Sequence, residues 1–138
     1  MKSIYLYTAL IISLCLILPF SYASAGSIKW YSYSEGLNMS KEKGKKIFLH
    51  FYADWCGYCK KMAQETFKDP SVISYLNEQY IPVRVNSDRE KNLAVSFGVR
   101  GLPATWLLSE KGEKIANVPG FIPADTFITT FENLQAQN

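Results

Sequence analysis

HFYADWCGYCKKM, residues 50–62, runs from an apolar segment straight into two cysteines separated by two residues, and opens on the chain's only histidine. Ile47 to Tyr52 is apolar, β-branched and aromatic and is bounded by charges, which predicts a buried strand. Lys60 to Phe67 has helical composition, so Cys56 is expected at the turn from strand into helix. A cysteine there faces unpaired N–H groups and the positive end of the helix dipole, and both stabilise a thiolate. Cys59, one turn later on the same face, can reach the first sulfur. Such a pair attacks a disulfide with one thiol and resolves the mixed disulfide with the other. The same spacing also suits a metal. Zinc in a closed site wants four ligands, and this stretch offers Cys56, Cys59 and His50. Copper(I) is held by fewer soft ligands, and Met39 and Met62 are available, though without convincing spacing. Copper binding therefore stays open beside dithiol exchange.

Working outward, the elements alternate. Trp30, Tyr31 and Tyr33 suggest a first short strand, and Ser34 is placed to cap a helix through Lys43. After the cysteine segment, Asp69-Pro70 provides a cap and a first-turn proline for a helix that turns Val72, Ile73, Tyr75 and Leu76 inward. Ile81 to Val85 alternates as a strand does. Ser87-Asp88-Arg89-Glu90 has the capping-box pattern before Leu93, Ala94 and Phe97, with Gly98 as the stop. Ala104 to Leu108 and Ile115 to Val118 read as strands around a turn at Glu110-Lys111-Gly112. Phe127, Ile128, Phe131 and Leu134 mark one face of a closing helix. The order β-α-β-α-β-α-β-β-α predicts an α/β fold: a central mixed sheet flanked by helices on both faces.

The first 25 residues are set apart from this domain. Lys2 precedes an almost wholly apolar Ile4 to Phe20, Pro19 breaks the run, and Ala23-Ser24-Ala25 supplies the small residues of a cleavage site. This is the layout of a secretory signal peptide, cut after Ala25, with an uncleaved membrane anchor as the alternative. Lipidation of Cys15 is rejected because Leu14 precedes it. Residues 26–138 then form one domain of 113 residues (138 less the first 25) in an extracytoplasmic compartment, periplasmic in a bacterium. With 14 basic residues (15 less Lys2) against 12 acidic ones, its charge is about +2, and the Lys41 to Lys46 cluster is interrupted by Glu42 and Gly44. No nucleic-acid surface is expected. Export permits disulfides, yet Cys56 and Cys59 close so short a loop that a purely structural staple gains little.

Two motifs carry a resemblance. YADWCGYCKKM resembles the active-site segment of thioredoxins, and GVRGLPATWLL resembles their second signature, a loop ending in a cis-proline. ETFKDPSVISYLNEQY and the early tryptophan are similar to exported thioredoxin-like domains, with the C-terminal domain of DsbD-type thiol:disulfide interchange proteins the nearest comparison. The resemblance implies a thioredoxin fold and an exported thiol:disulfide oxidoreductase, most simply a reductase, with an oxidase or isomerase as the alternative. CGYC also occurs in DsbC-type isomerases, but those carry a further dimerisation domain. Cys56 would be the nucleophile and Cys59 the buried resolving thiol. Pro103 would be cis beside them, Leu102 would offer its backbone to an extended substrate, and Trp55 would shield the edge of the site. No cofactor and no metal are implied. The expected partners are protein thiols and disulfides and a membrane or soluble electron donor, met by a monomer. One departure stands out: the family keeps a buried aspartate where this chain has His50, and its partner lysine corresponds to Arg84. A neutral His50 beneath Cys59 is the candidate base for that thiol, with an ordinary core histidine as the alternative.

Overall fold

The computed structural model describes residues 26–137, so the expected signal segment and its boundary after Ala25 lie outside the described residues. The chain first touches the sheet at Tyr31, through a single parallel bridge to Val83. The Tyr31 N–H donates to the Pro82 carbonyl at 2.9 Å, and the Arg84 N–H donates to Tyr31 at 3.2 Å. The expected first strand is thus one residue long. Its extension is stopped by Ser32, not Ser34, which caps helix α1 (Tyr33–Lys43). Ser32 stands three residues before Glu35, and each side chain meets the other's backbone N–H in a complete capping box. Gly44 ends α1 in the left-handed conformation, φ 61°.

Strand β1 (Ile47–Tyr52) follows, and helix α2 (Gly57–Gln64) starts three residues earlier than its composition suggests, with Cys56 as N-cap. Past Glu65 the chain tightens into a short 3-10 turn, Thr66–Lys68. Pro70 forbids a continuous helix, because the residue before it must be extended, and Asp69 is (φ −66°, ψ 126°). The Asp69 carboxylate then accepts the N–H groups of Ser71 and Val72 and starts α3 (Pro70–Gln79). Strand β2 (Ile81–Asn86) leads to α4 (Lys91–Ser96). The expected capping box at Ser87 does not form. Asn86 instead closes a turn, its Oδ1 accepting the N–H groups of Asp88 and Arg89, and α4 begins after Glu90 with no side-chain cap. Residues 87–90 are spent in that turn. The hairpin of β3 (Ala104–Leu108) and β4 (Lys114–Pro119) and the helix α5 (Ala124–Ala136) complete the fold.

The sheet order is β2-β1-β3-β4. β1 is central, parallel to β2 and antiparallel to β3, with His50 opposite Arg84 on one side and Thr105 on the other. Because side chains alternate along a strand, β1 feeds two cores. Phe48 packs with Met62, Phe67, Leu76, Phe127 and Phe131 under α2, α3 and α5. Ile47, Leu49 and Phe51 pack with Val83, Val85 and Phe97 under α1 and α4. Gly36 lets α1 lie close on β2: a Cβ there would stand 2.2 Å from a Val83 methyl. Among the described residues, no helix is long and apolar enough to cross a membrane.

Candidate active site

The end of β1 aims the chain at the sheet's rim, where Ala53 to Trp55 turn it into α2. Cys56 is extended (φ −77°, ψ 110°), and its Sγ accepts the Cys59 N–H at 3.1 Å. That N–H belongs to the free first turn of the helix, the group that best stabilises a sulfur anion. Cys56 and Cys59 are joined by a disulfide, their Cα atoms 5.2 Å apart. Cys56 is 5% exposed and Cys59 1%. Ala53, Tyr52 and Leu102 pack around the pair.

Three segments surround the disulfide. From the loop before β3, the Leu102–Pro103 peptide bond is cis, and the Pro103 carbonyl accepts the Gly120 N–H at 2.8 Å. This bond pins the loop to the end of β4. Trp55 is 70% exposed and donates its indole N–H to Asp88 at 2.8 Å. Tyr58, also exposed, stands beside Phe121 on the opposite flank. A groove of about 350 Å³ opens between Trp55, Asp88, Val95, Arg100 and Leu102, with Val95 exposed on it. The sequence-predicted residues Cys56, Cys59, Trp55, Leu102 and Pro103 are therefore gathered at one end of the sheet.

His50 lies deeper. Its ring is fully buried, edge-on to Phe67 at 5.0 Å and stacked against Phe48 at 6.4 Å. Nδ1 meets the Thr105 hydroxyl at 3.2 Å, while Nε2 is buried without a hydrogen-bond partner. Burial, and then the positive charge of Arg84, push its pKa down to about 3, so the ring is neutral at any ordinary pH. The Arg84 guanidinium sits over the Tyr52 ring, its central carbon 3.9 Å from the ring centroid. Asp88 and Tyr52 were not legible as site residues. Only the partner choices of Trp55 and Arg84 reveal them, and those depend on loop and strand placement.

Comparison with known proteins agrees with the geometry. Residues 33–135 match the model of the thioredoxin-like domain. The thiol:disulfide interchange protein DsbD of Photorhabdus laumondii is 36% identical over 101 residues, covering 70% of this chain and only 18% of that longer relative. Among solved structures, the reduced C-terminal domain of DsbD from Neisseria meningitidis aligns with a TM-score of 0.62 at 25% identity, over 72% of this chain and 91% of that one. A thioredoxin from Thermus thermophilus shares the fold at TM-score 0.71 and 24% identity, over 79% of this chain and 88% of that one. The mixed sheet, the disulfide at a helix start and the family match converge: the chain belongs to the thioredoxin-like domain family.

Proposed function

We propose that the protein is an exported thiol:disulfide oxidoreductase that reduces protein disulfides through a Cys56/Cys59 dithiol cycle. The observation that carries this reading is the disulfide set on the first turn of α2, with Cys56 Sγ held by the Cys59 N–H. In the cycle, the Cys56 thiolate attacks one sulfur of the client disulfide, and the other client sulfur leaves as a thiolate. Cys59 then attacks Cys56 Sγ, releases the second client thiolate and closes the internal disulfide. Cys56 is the nucleophile because its sulfur receives the helix N–H and is the more exposed of the two. Trp55, Leu102 and Pro103 border the path a client segment takes to it, and the free backbone near Leu102 suits strand-like docking. The reductase direction rests on similarity to DsbD-type interchange proteins, and the location is the periplasm or its equivalent, reached through the segment 1–25. The protein acts as a monomer and takes its electrons from a separate membrane or soluble donor.

His50 enters this reading in a changed role. With a pKa near 3, it is far too weak a base to take a proton from a thiol. Burial that keeps the ring neutral also makes it a weak base, so we assign it to positioning the row Arg84–His50–Thr105, with the proton leaving toward solvent. An insulin-reduction assay, together with the Cys56–Cys59 reduction potential, tests the proposal. A potential in the thioredoxin range, near about −270 mV, with rapid insulin reduction supports a reductase, while one near about −120 mV marks an oxidant.

A further inference from the structure

A small cavity of about 170 Å³ opens behind Cys59, walled by Tyr52, Asp54, Cys59, Lys60, Gln64 and Arg84, with two alanines between them. Arg84 is fixed there rather than free to swing. Its guanidinium is stacked 3.9 Å over Tyr52 and lies 5.9 Å from the Trp30 ring centre, and its Nε is buried with no hydrogen-bond partner. Its backbone N–H is tied to Tyr31. The charge on it is uncompensated. Its neighbour in register on β1 is the neutral His50, and beyond that on β3 stands Thr105. The one carboxylate on the cavity, Asp54, is engaged by Arg89 at 3.5 Å and by the Asn86 amide at 3.3 Å. Lys60 adds a second positive charge to the wall. Among the described residues, the Arg84 guanidinium is in no ion pair.

Resting on the oxidoreductase reading above, we propose that Arg84 is a positioning residue for the resolving step, holding the Cys59 thiolate across the cavity they share. A thiol as buried as Cys59 resists ionisation. A fixed cation on the wall of the same cavity offsets that resistance. The cavity has room for a few waters, each with polar partners on its wall, so the proton from Cys59 passes to water and then to solvent with no buried base. The Cys59 thiolate attacks Cys56 Sγ and the new Cys56–Cys59 bond forms. The bond from Cys56 to the client sulfur breaks, and the client leaves with the electron pair as a thiolate, to be protonated by solvent. The client is reduced and the dithiol of this protein is oxidised.

The test is the pH–rate profile of resolution in the full-length chain. The reduced protein is mixed with a model peptide disulfide, quenched in acid and read by mass spectrometry, for the wild type, Arg84→Met and Arg84→Lys. We expect Arg84→Met to slow resolution about tenfold at pH 7 and to move its profile up by about one pH unit, with the first attack by Cys56 within about twofold of wild type. Arg84→Lys restores most of the rate and the profile, since a cation remains. An unmoved profile in Arg84→Met overturns the proposal, as does a lysine variant that behaves like methionine, because stacking on Tyr52 rather than charge would then be at work. If no variant, Cys59→Ser included, forms a mixed disulfide, the oxidoreductase reading itself fails and this inference falls with it.

Discussion

Replacing His50 by leucine should change how stability depends on pH, and in a direction that a hydrophobic swap alone does not produce. The ring is fully buried, and its pKa is lowered from 6.5 to about 3, first by desolvation and then by Arg84. Above pH 6.5 the ring is neutral in both folded and unfolded chains and its titration adds no penalty. Below it, the unfolded chain binds a proton that the folded chain refuses until pH falls to about 3. Stability is therefore lost progressively on acidification between those limits, by about 1.4 kcal/mol per pH unit and by about 5 kcal/mol across the whole window. Leucine has no such term. At pH 7 the variant loses the Thr105 contact at 3.2 Å and should be less stable by about 1 kcal/mol. By pH 5 the histidine penalty in the wild type has reached about 2 kcal/mol, so the variant should be the more stable protein and the two curves should cross near pH 6. Urea denaturation of the oxidised proteins at half-unit steps from pH 7.5 to 4.5 measures the difference directly, and the effects of the carboxylates, common to both proteins, cancel in it. A gap between the two proteins that stays constant over that range would refute the reasoning, since it would mean that the folded protein protonates His50 as readily as the unfolded chain does.

Other outcomes follow from single contacts. Cys59→Ser should accumulate mixed disulfides with client proteins and Cys56→Ser should accumulate none, as read on non-reducing gels; equal trapping by both would reverse the assignment of nucleophile. Gly36→Ala places a methyl 2.2 Å from Val83 and should cost about 1–3 kcal/mol by overpacking, with Val83→Ala in the same chain recovering part of the loss in thermal melts. Ser32→Ala removes the acceptor of the capping box and should cost about 1 kcal/mol, whereas Ser34→Ala should be nearly silent. A reversed order of those two serine variants would return the cap to Ser34.

Much of the fold was readable because it rests on local signals. The apolar run Ile47 to Tyr52, the Asp69-Pro70 start of α3 and the glycine stop at Gly98 each state their structure within a few residues. The disulfide pair and the proline loop were readable for the same reason. What the sequence hid depends on competition between near neighbours or on partners far along the chain. Ser32 and Ser34 look alike until Glu35 chooses between them. Ser87 carries the capping pattern, but Asn86, the last residue of β2, draws residues 87–90 into a turn, its Oδ1 accepting Asp88 and Arg89 and its carbonyl accepting Glu90. The strand at Trp30 to Tyr33 shrank to one bridge because the cap followed it at once. His50 was readable as buried and neutral. That its neutrality makes it a poor base follows only from the depth of its aromatic surroundings, and the cavity between Arg84 and Cys59 only from β1 and β2 lying in parallel register.

The single bridge at Tyr31 bears on aggregation. β2 is an outer strand carrying Ile81, Val83 and Val85, and an open strand of that kind is a template for pairing with another chain. Tyr31 occupies its outer edge at Pro82 and Arg84 with two backbone hydrogen bonds, and α1 covers the adjoining face through Gly36. The opposite edge, β4, is defended differently, with Lys114 at its start and Pro119 at its end. The short segment before the first helix thus acts as a selvedge for the sheet: a chain that lost it would keep its cysteines and much of its core, yet would expose Ile81 to Val85 to its neighbours at the concentrations of a crowded compartment.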